Sequence, residues 1–315
     1  MSTEDEGALE QARDDTVAPD HRRRGTRVDV DFPPIENGVD YLQSVVEYLT
    51  AEELPGPRSL KYAVLHLQAA TEVLLKVRLQ REHWSLVFKD PATATRTRFE
   101  AGDFESCTIE SALTRLKQIA GVSIPDKAGR ALSSLAKARN ALQHYGLSMS
   151  AYAVEARAAE VLDFLMSFVH EQLLPSLNDA EARKIKAEMR PVAPRVREIE
   201  SFVKARENRL RGALKDRQEH TLECPFCGKW AMVVGDGYNH VICHFCDFMW
   251  EDAGQAVLDY GKSRLDGSTP MRDMSSFALS ECPQCGKWGL IDENAVVAAS
   301  QEYLRSLCFA CGYTR

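Results

Sequence analysis

Eight of the nine cysteines fall into four C-x2-C pairs: Cys224/Cys227, Cys243/Cys246, Cys282/Cys285 and Cys308/Cys311. Two pairs, 15 residues apart, make a first set of four, and two pairs, 22 residues apart, make a second. A C-x2-C turn presents two thiolates from one short stretch of backbone, so two such turns close a tetrahedral Zn²⁺ site. Redox pairs or free thiols are the alternative. Duplication of the whole pattern argues against them, because Cys224-Pro225-Phe226-Cys227-Gly228-Lys229-Trp230 returns as Cys282-Pro283-Gln284-Cys285-Gly286-Lys287-Trp288. Two ions per chain use all eight thiolates and leave no ligand position open for water, which is the signature of structural metal. Gly228, Gly286 and Gly312 each follow a C-x2-C and supply a residue that tolerates left-handed backbone. His240 and His244 lie near the first set and could replace one ligand; the ninth cysteine, Cys107, is expected to be an ordinary thiol.

A second group of residues could do acid–base chemistry. Ala138-Arg139-Asn140-Ala141-Leu142-Gln143-His144-Tyr145-Gly146 lies at the end of a helical pattern. On a helical wheel Leu132, Leu135, Arg139 and Leu142 share a stripe, so Arg139 stands where an apolar residue is expected to be buried, and needs a partner or a ligand. Asn140 and His144 are one turn apart and can touch. Arg139 and His144 are about 140° apart on an ideal helix, so only the arginine's length, a loosened helix end or a second copy of the chain would bring them into one cleft. Arg139 paired to Glu72 would be the purely structural outcome. His66, Gln68, His83 and His170 carry no pattern of their own.

These residues need elements to hold them. Apolar periodicity predicts five helices, at about 36–54, 57–84, 108–120, 125–145 and 151–173. Residues 85–107 are polar and irregular, which suggests a functional or disordered loop. Short connections between long helices imply an up-and-down bundle. Beyond Pro175 the chain is highly charged and interrupted by Pro191 and Pro194. Val196, Val203 and Leu210 recur every seven residues, as a docked helix or a short coiled-coil contact would require. Residues 231–234 and 240–242 read as short strands. The C-terminal segment resembles a pair of zinc ribbons over most of 222–315. The expected fold is mainly α with two small β-rich modules: a disordered tail at 1–34, a helical domain at 35–178, a charged helical connector at 179–219, and ribbons at 220–260 and 278–315.

Charge is uneven. Residues 57–150 hold 14 Lys and Arg against 8 Asp and Glu, and residues 179–219 hold 12 against 8. The first ribbon, residues 223–252, has one lysine against five acids, and the second, from Glu281, has three bases against four acids. A polyanion would prefer the helical segments, and the ribbons suit protein contacts better than phosphate. The basic run His21-Arg22-Arg23-Arg24 reads as a solvated tail. No apolar run reaches the ~20 residues that span a bilayer, and the acidic N-terminus lacks the apolar centre of a secretory signal. A cytoplasmic protein is expected, whose reducing surroundings also favour metal over disulfides.

Arg-Asn-x3-His near the end of a bundle helix resembles the R-x4-6-H motif of HEPN domains (higher eukaryotes and prokaryotes nucleotide-binding). The apolar second helix with Glu72 and Lys76 and the polar loop after it fit the same family over about residues 36–175. The resemblance implies a HEPN-like bundle that dimerises and cleaves RNA without metal, in bacterial stress or antiphage defence. His144 would act as general base or acid and Arg139 would bind the scissile phosphate. Asn140 would orient His144 or contact the phosphate. Imidazole titrates near neutrality and suits either proton transfer. Some HEPN domains are non-catalytic, so a dimeric adaptor binding protein or nucleic acid through its ribbons is the second expectation.

Overall fold

The computed structural model describes residues 31–52, 54–265 and 279–315. The expected tail falls almost wholly outside them, as does the basic run at His21–Arg24. From Pro33 to Arg315 the chain forms one compact unit.

Helix α1 (Pro34–Thr50) buries Val39, Leu42, Val46 and Leu49 at three- and four-residue spacing against α2 (Pro57–Glu82). The two approach closely at Gly38, where a Cβ would stand 2.5 Å from the buried Leu74 side chain. Helix α2 is the inner helix. Its buried residues, Leu60, Ala63, Val64, Leu67, Ala70, Leu74 and Leu75 among them, face several neighbours. Thr71 is also buried, and its hydroxyl donates to the Leu67 carbonyl at 2.8 Å.

The loop after α2 is not irregular. It contains helix α3 (Arg96–Ala101) and a cluster of four aromatics, in which Phe88 stacks on Phe104 at 4.2 Å with Trp84 and Phe99 beside them. Arg115, on α4 (Ile109–Gln118), donates to the carbonyls of Leu86, Phe88 and Lys89. The hydrophilic average of the segment conceals aromatics spaced too irregularly to show a period.

Helices α5 (Asp126–His144) and α6 (Ala151–Phe168) complete the bundle. Helix α6 starts at the Ser150 cap and runs on through a π-helical turn to Leu173. Asn178 and Glu181 form a capping box for α7 (Asp179–Met189). The short α8 (Val192–Arg195) and then α9 (Glu200–Leu214) follow. Of the heptad positions, Val196 and Leu210 are buried and Val203 is partly covered, because α9 docks along α6.

The ribbons repeat in structure as in sequence. Strands β1 (Thr221–Glu223), β2 (Trp230–Val233), β3 (Val241–Cys243) and β4 (Met249–Trp250) form one antiparallel sheet in chain order. Helix α10 (Ala253–Leu265) leads to β5 (Leu279–Glu281), β6 (Trp288–Val297) and β7 (Ser300–Cys308), a second antiparallel sheet in chain order. The first strand pair of each sheet shows the same irregularity, with Glu223 opposite Trp230 and Glu281 opposite Trp288. The sheets also meet. The Gly235 amide donates to the Phe309 carbonyl at 3.0 Å and the Ala298 amide to that of Thr221 at 2.7 Å. Gly235 has φ 81°, and a Cβ there would lie 2.5 Å from the Gly312 Cα.

Candidate functional site

Four C-x2-C turns build two four-cysteine clusters, each with the donor set to hold a metal ion. In each turn the amide of the residue after the second cysteine donates back to the carbonyl of the first: Gly228 to Cys224, Asp247 to Cys243, Gly286 to Cys282 and Gly312 to Cys308, at 2.8 to 2.9 Å. That residue is left-handed every time, with φ of 67°, 58°, 68° and 75° respectively. Asp247 is therefore the fourth member of a set in which the sequence displays only the glycines; aspartate is among the few other residues that enter this region readily.

The sulfurs of Cys224, Cys227, Cys243 and Cys246 lie within 4.8 Å of one another, as do those of Cys282, Cys285, Cys308 and Cys311. Cys224–Cys246 and Cys227–Cys243 are 3.9 and 3.7 Å apart; Cys282–Cys311 and Cys285–Cys308 are 3.7 and 3.8 Å apart. A tetrahedron with metal–sulfur bonds of ~2.3 Å has edges of about 3.8 Å, so both donor sets fit a tetrahedral ion. Burial pushes the Cys243 and Cys308 thiols well above their usual range, an effect that a cation among the sulfurs opposes. Neither histidine joins the first set. His240 is exposed and stacks beside Tyr238, while the half-buried His244 takes part through its backbone. Cys107 is buried in the bundle.

Asp247 ties the first centre to the helices. Its carboxylate accepts from Arg206 of α9 at 2.8 Å. Arg206 is wholly buried, pairs also with Asp163 of α6, donates to the His244 carbonyl at 3.1 Å and lies over the Phe202 ring. Arg209 adds a second cation to Asp163 at 3.1 Å. Two carboxylates from different elements thus meet one desolvated guanidinium, whose fork suits this arrangement. Sequence reasoning missed the network. Its signal was Arg206 sitting three residues after Val203, on the face that α9 buries.

The Arg139 group sits on an open helix end. Asn140 and His144 are exposed, and Arg139 is half-exposed. Arg139 was expected on the buried stripe. The last turns of α5 instead bury Leu135 and Ala138, and Arg139 is rotated one residue out of the core. It donates to the Asn140 side chain at 2.9 Å and has no carboxylate partner among the described residues. Glu72, the candidate structural partner, pairs with Lys76 at 3.9 Å. No hydrogen bond joins His144 to Arg139 or Asn140 among the described residues; its ring lies 5.9 Å from that of Tyr145. Past the Tyr145 C-cap, Gly146 takes the left-handed conformation, φ 83°, that closes the helix. Tyr145 and Tyr152, 89% and 62% exposed, flank this end.

The other singled-out groups are structural. His66 hydrogen-bonds Ser44 at 2.8 Å between Tyr41 and Tyr48, and His83 caps the turn at Ser85. Gln68 is buried in the bundle. His170 lines a small cleft of about 50 Å³ beside Asp247 and Phe248. A larger cleft of about 520 Å³ runs between α5, α6 and α9; in it Lys127 pairs with Glu160 and Arg209 with Asp163, and Glu171 adds a further carboxylate. No helix among the described residues is long and apolar enough to cross a membrane. No family model, curated protein or solved structure matches the chain.

Proposed function

We propose that the protein is a metal-independent endoribonuclease of HEPN type, cytoplasmic and active as a homodimer, with two structural zinc ions per chain. The carrying observation is that Arg139, Asn140 and His144 lie on one exposed helix end, with Arg139 unpaired to any carboxylate among the described residues. A guanidinium in that state is available to a phosphate. No hydrogen bond joins His144 to Arg139 within one protomer among the described residues, and in the proposed dimer the helix ends of two protomers meet. The exposed Tyr145 and Tyr152 give that contact an apolar surface.

In the proposed reaction His144 of one protomer takes the proton of a ribose 2′-hydroxyl. The oxygen attacks phosphorus while Arg139 holds the non-bridging oxygens. The bond from phosphorus to the 5′-oxygen breaks, and that oxygen takes up a proton from water as it leaves. The products are a 2′,3′-cyclic phosphate and a 5′-hydroxyl. Asn140, which accepts from Arg139 at 2.9 Å, sets the direction of the guanidinium. A role in stress or antiphage defence follows from the family resemblance alone. The zinc ions hold the ribbons folded and take no part in cleavage.

Parent protein should cleave total RNA or tRNA, and His144→Ala and Arg139→Ala should each lower the rate about 10²–10⁴-fold while melting like the parent. Equal cleavage by all three would place the activity elsewhere. The second reading is a non-catalytic adaptor, favoured by Trp288, Tyr303 and Leu304, which are 61%, 69% and 60% exposed on the second ribbon. No cleavage by any of the three proteins would favour it.

A further inference from the structure

The two copies of Glu-Cys-Pro-x-Cys-Gly-Lys-Trp are the same turn in different surroundings. In the first copy Glu223, Pro225, Phe226, Lys229 and Trp230 are all partly covered. Part of the cover comes from the segment carrying α7 to α9, beside Phe248 and Trp250 of the same ribbon. The Arg190 guanidinium lies 5.5 Å from the Phe226 ring centre, and Glu207 of α9 takes Lys229 at 3.0 Å. In the second copy Glu281, Pro283, Gln284, Gly286, Lys287 and Trp288 are all exposed. Trp288 is 61% exposed, and Lys287 has no ion-pair partner among the described residues. The same Lys-Trp pair that is partly covered in the first copy thus stands open in the second.

We propose that the Glu281–Trp288 turn is a docking face for a protein partner that presents an acidic residue on a helix. The partner's carboxylate would take Lys287 as Glu207 takes Lys229, and its apolar neighbours would cover the Trp288 ring. The charge of the occupant follows from Lys287 and from the first copy, where the residue in this place is a glutamate. Gln284 stands where the first copy has Phe226, so the occupant needs no counterpart of Arg190. The inference does not depend on whether Arg139 and His144 cleave RNA.

The test places the photoreactive residue benzoylphenylalanine at position 288 of the full chain in the cells that make it. Cross-linked peptides are then mapped by mass spectrometry. The expected result is a cross-link to one protein segment with Asp or Glu within about one helical turn of the linked residue. Lys287→Glu in the same chain should lower the yield at least about fivefold, and reversing that acidic residue in the partner should restore it. Metal content and melting of the Lys287→Glu chain, unchanged from the parent, separate lost docking from lost folding. Cross-links to nucleic acid or to a second copy of the chain, a yield indifferent to Lys287→Glu, or no cross-link would each overturn the proposal.

Discussion

Replacing Cys243 by Ser should lower the metal content from two ions per chain to one and unfold the first ribbon. Cys243 is buried at the end of β3 and packs its sulfur 3.7 Å from that of Cys227. The strands of this ribbon span only two to four residues each, too short to stand without a staple. Structural zinc binding is worth roughly 10–16 kcal/mol in small modules at neutral pH, more than the whole stability of many domains. Loss of the site should therefore melt the sheet and release the face of α9 that carries Phe202 and Arg206. Elemental analysis reads the ion count, and proteolysis should open first within residues 221–252. The equivalent change at Cys308 should spare the first centre. A folded, protease-resistant Cys243→Ser chain with two ions would contradict this account.

Arg206→Met should destabilise the chain by about 3–5 kcal/mol, because it leaves the buried Asp163 with Arg209 alone and the half-buried Asp247 with no other ion-pair partner among the described residues. Arg209 still reaches Asp163, so Asp247 loses the most. Its backbone forms the second turn of the first metal centre, and the variant should also release that ion sooner to a chelator. Adding Asp163→Asn and Asp247→Asn to Arg206→Met should recover part of the loss, since neutral amides are cheaper to bury than unpaired carboxylates. Thermal unfolding with a chelator time course checks both effects. A melting point within a degree of the parent would mean that the buried network contributes nothing to the joint between ribbon and bundle.

The parts legible in the sequence were those with strong local rules. The five long helices appear within a few residues of their expected places, because apolar residues recur at the helical period along α1, α2 and α6. The cysteine sets were legible because ligand spacing is fixed by the turn. What escaped was long-range. Arg115 clamping three carbonyls of the aromatic loop, and Arg206 bridging α6 and the first ribbon, join residues 26 to 43 positions apart. No periodicity records such pairings. The wheel also misplaced Arg139, since one residue of rotation separates Ala138, which is buried, from its neighbour. The half-exposed arginine bonds the Asn140 side chain instead of packing into the bundle.

The most direct measurement of the central claim is the chemistry of the RNA ends. A short RNA is incubated with the full chain during brief exposure to EDTA, and its fragments are weighed by mass spectrometry. The account predicts 2′,3′-cyclic phosphate and 5′-hydroxyl ends, formed without added metal and absent with His144→Ala. Fragments with 3′-hydroxyl and 5′-phosphate ends, or cleavage that requires Mg²⁺, would contradict it.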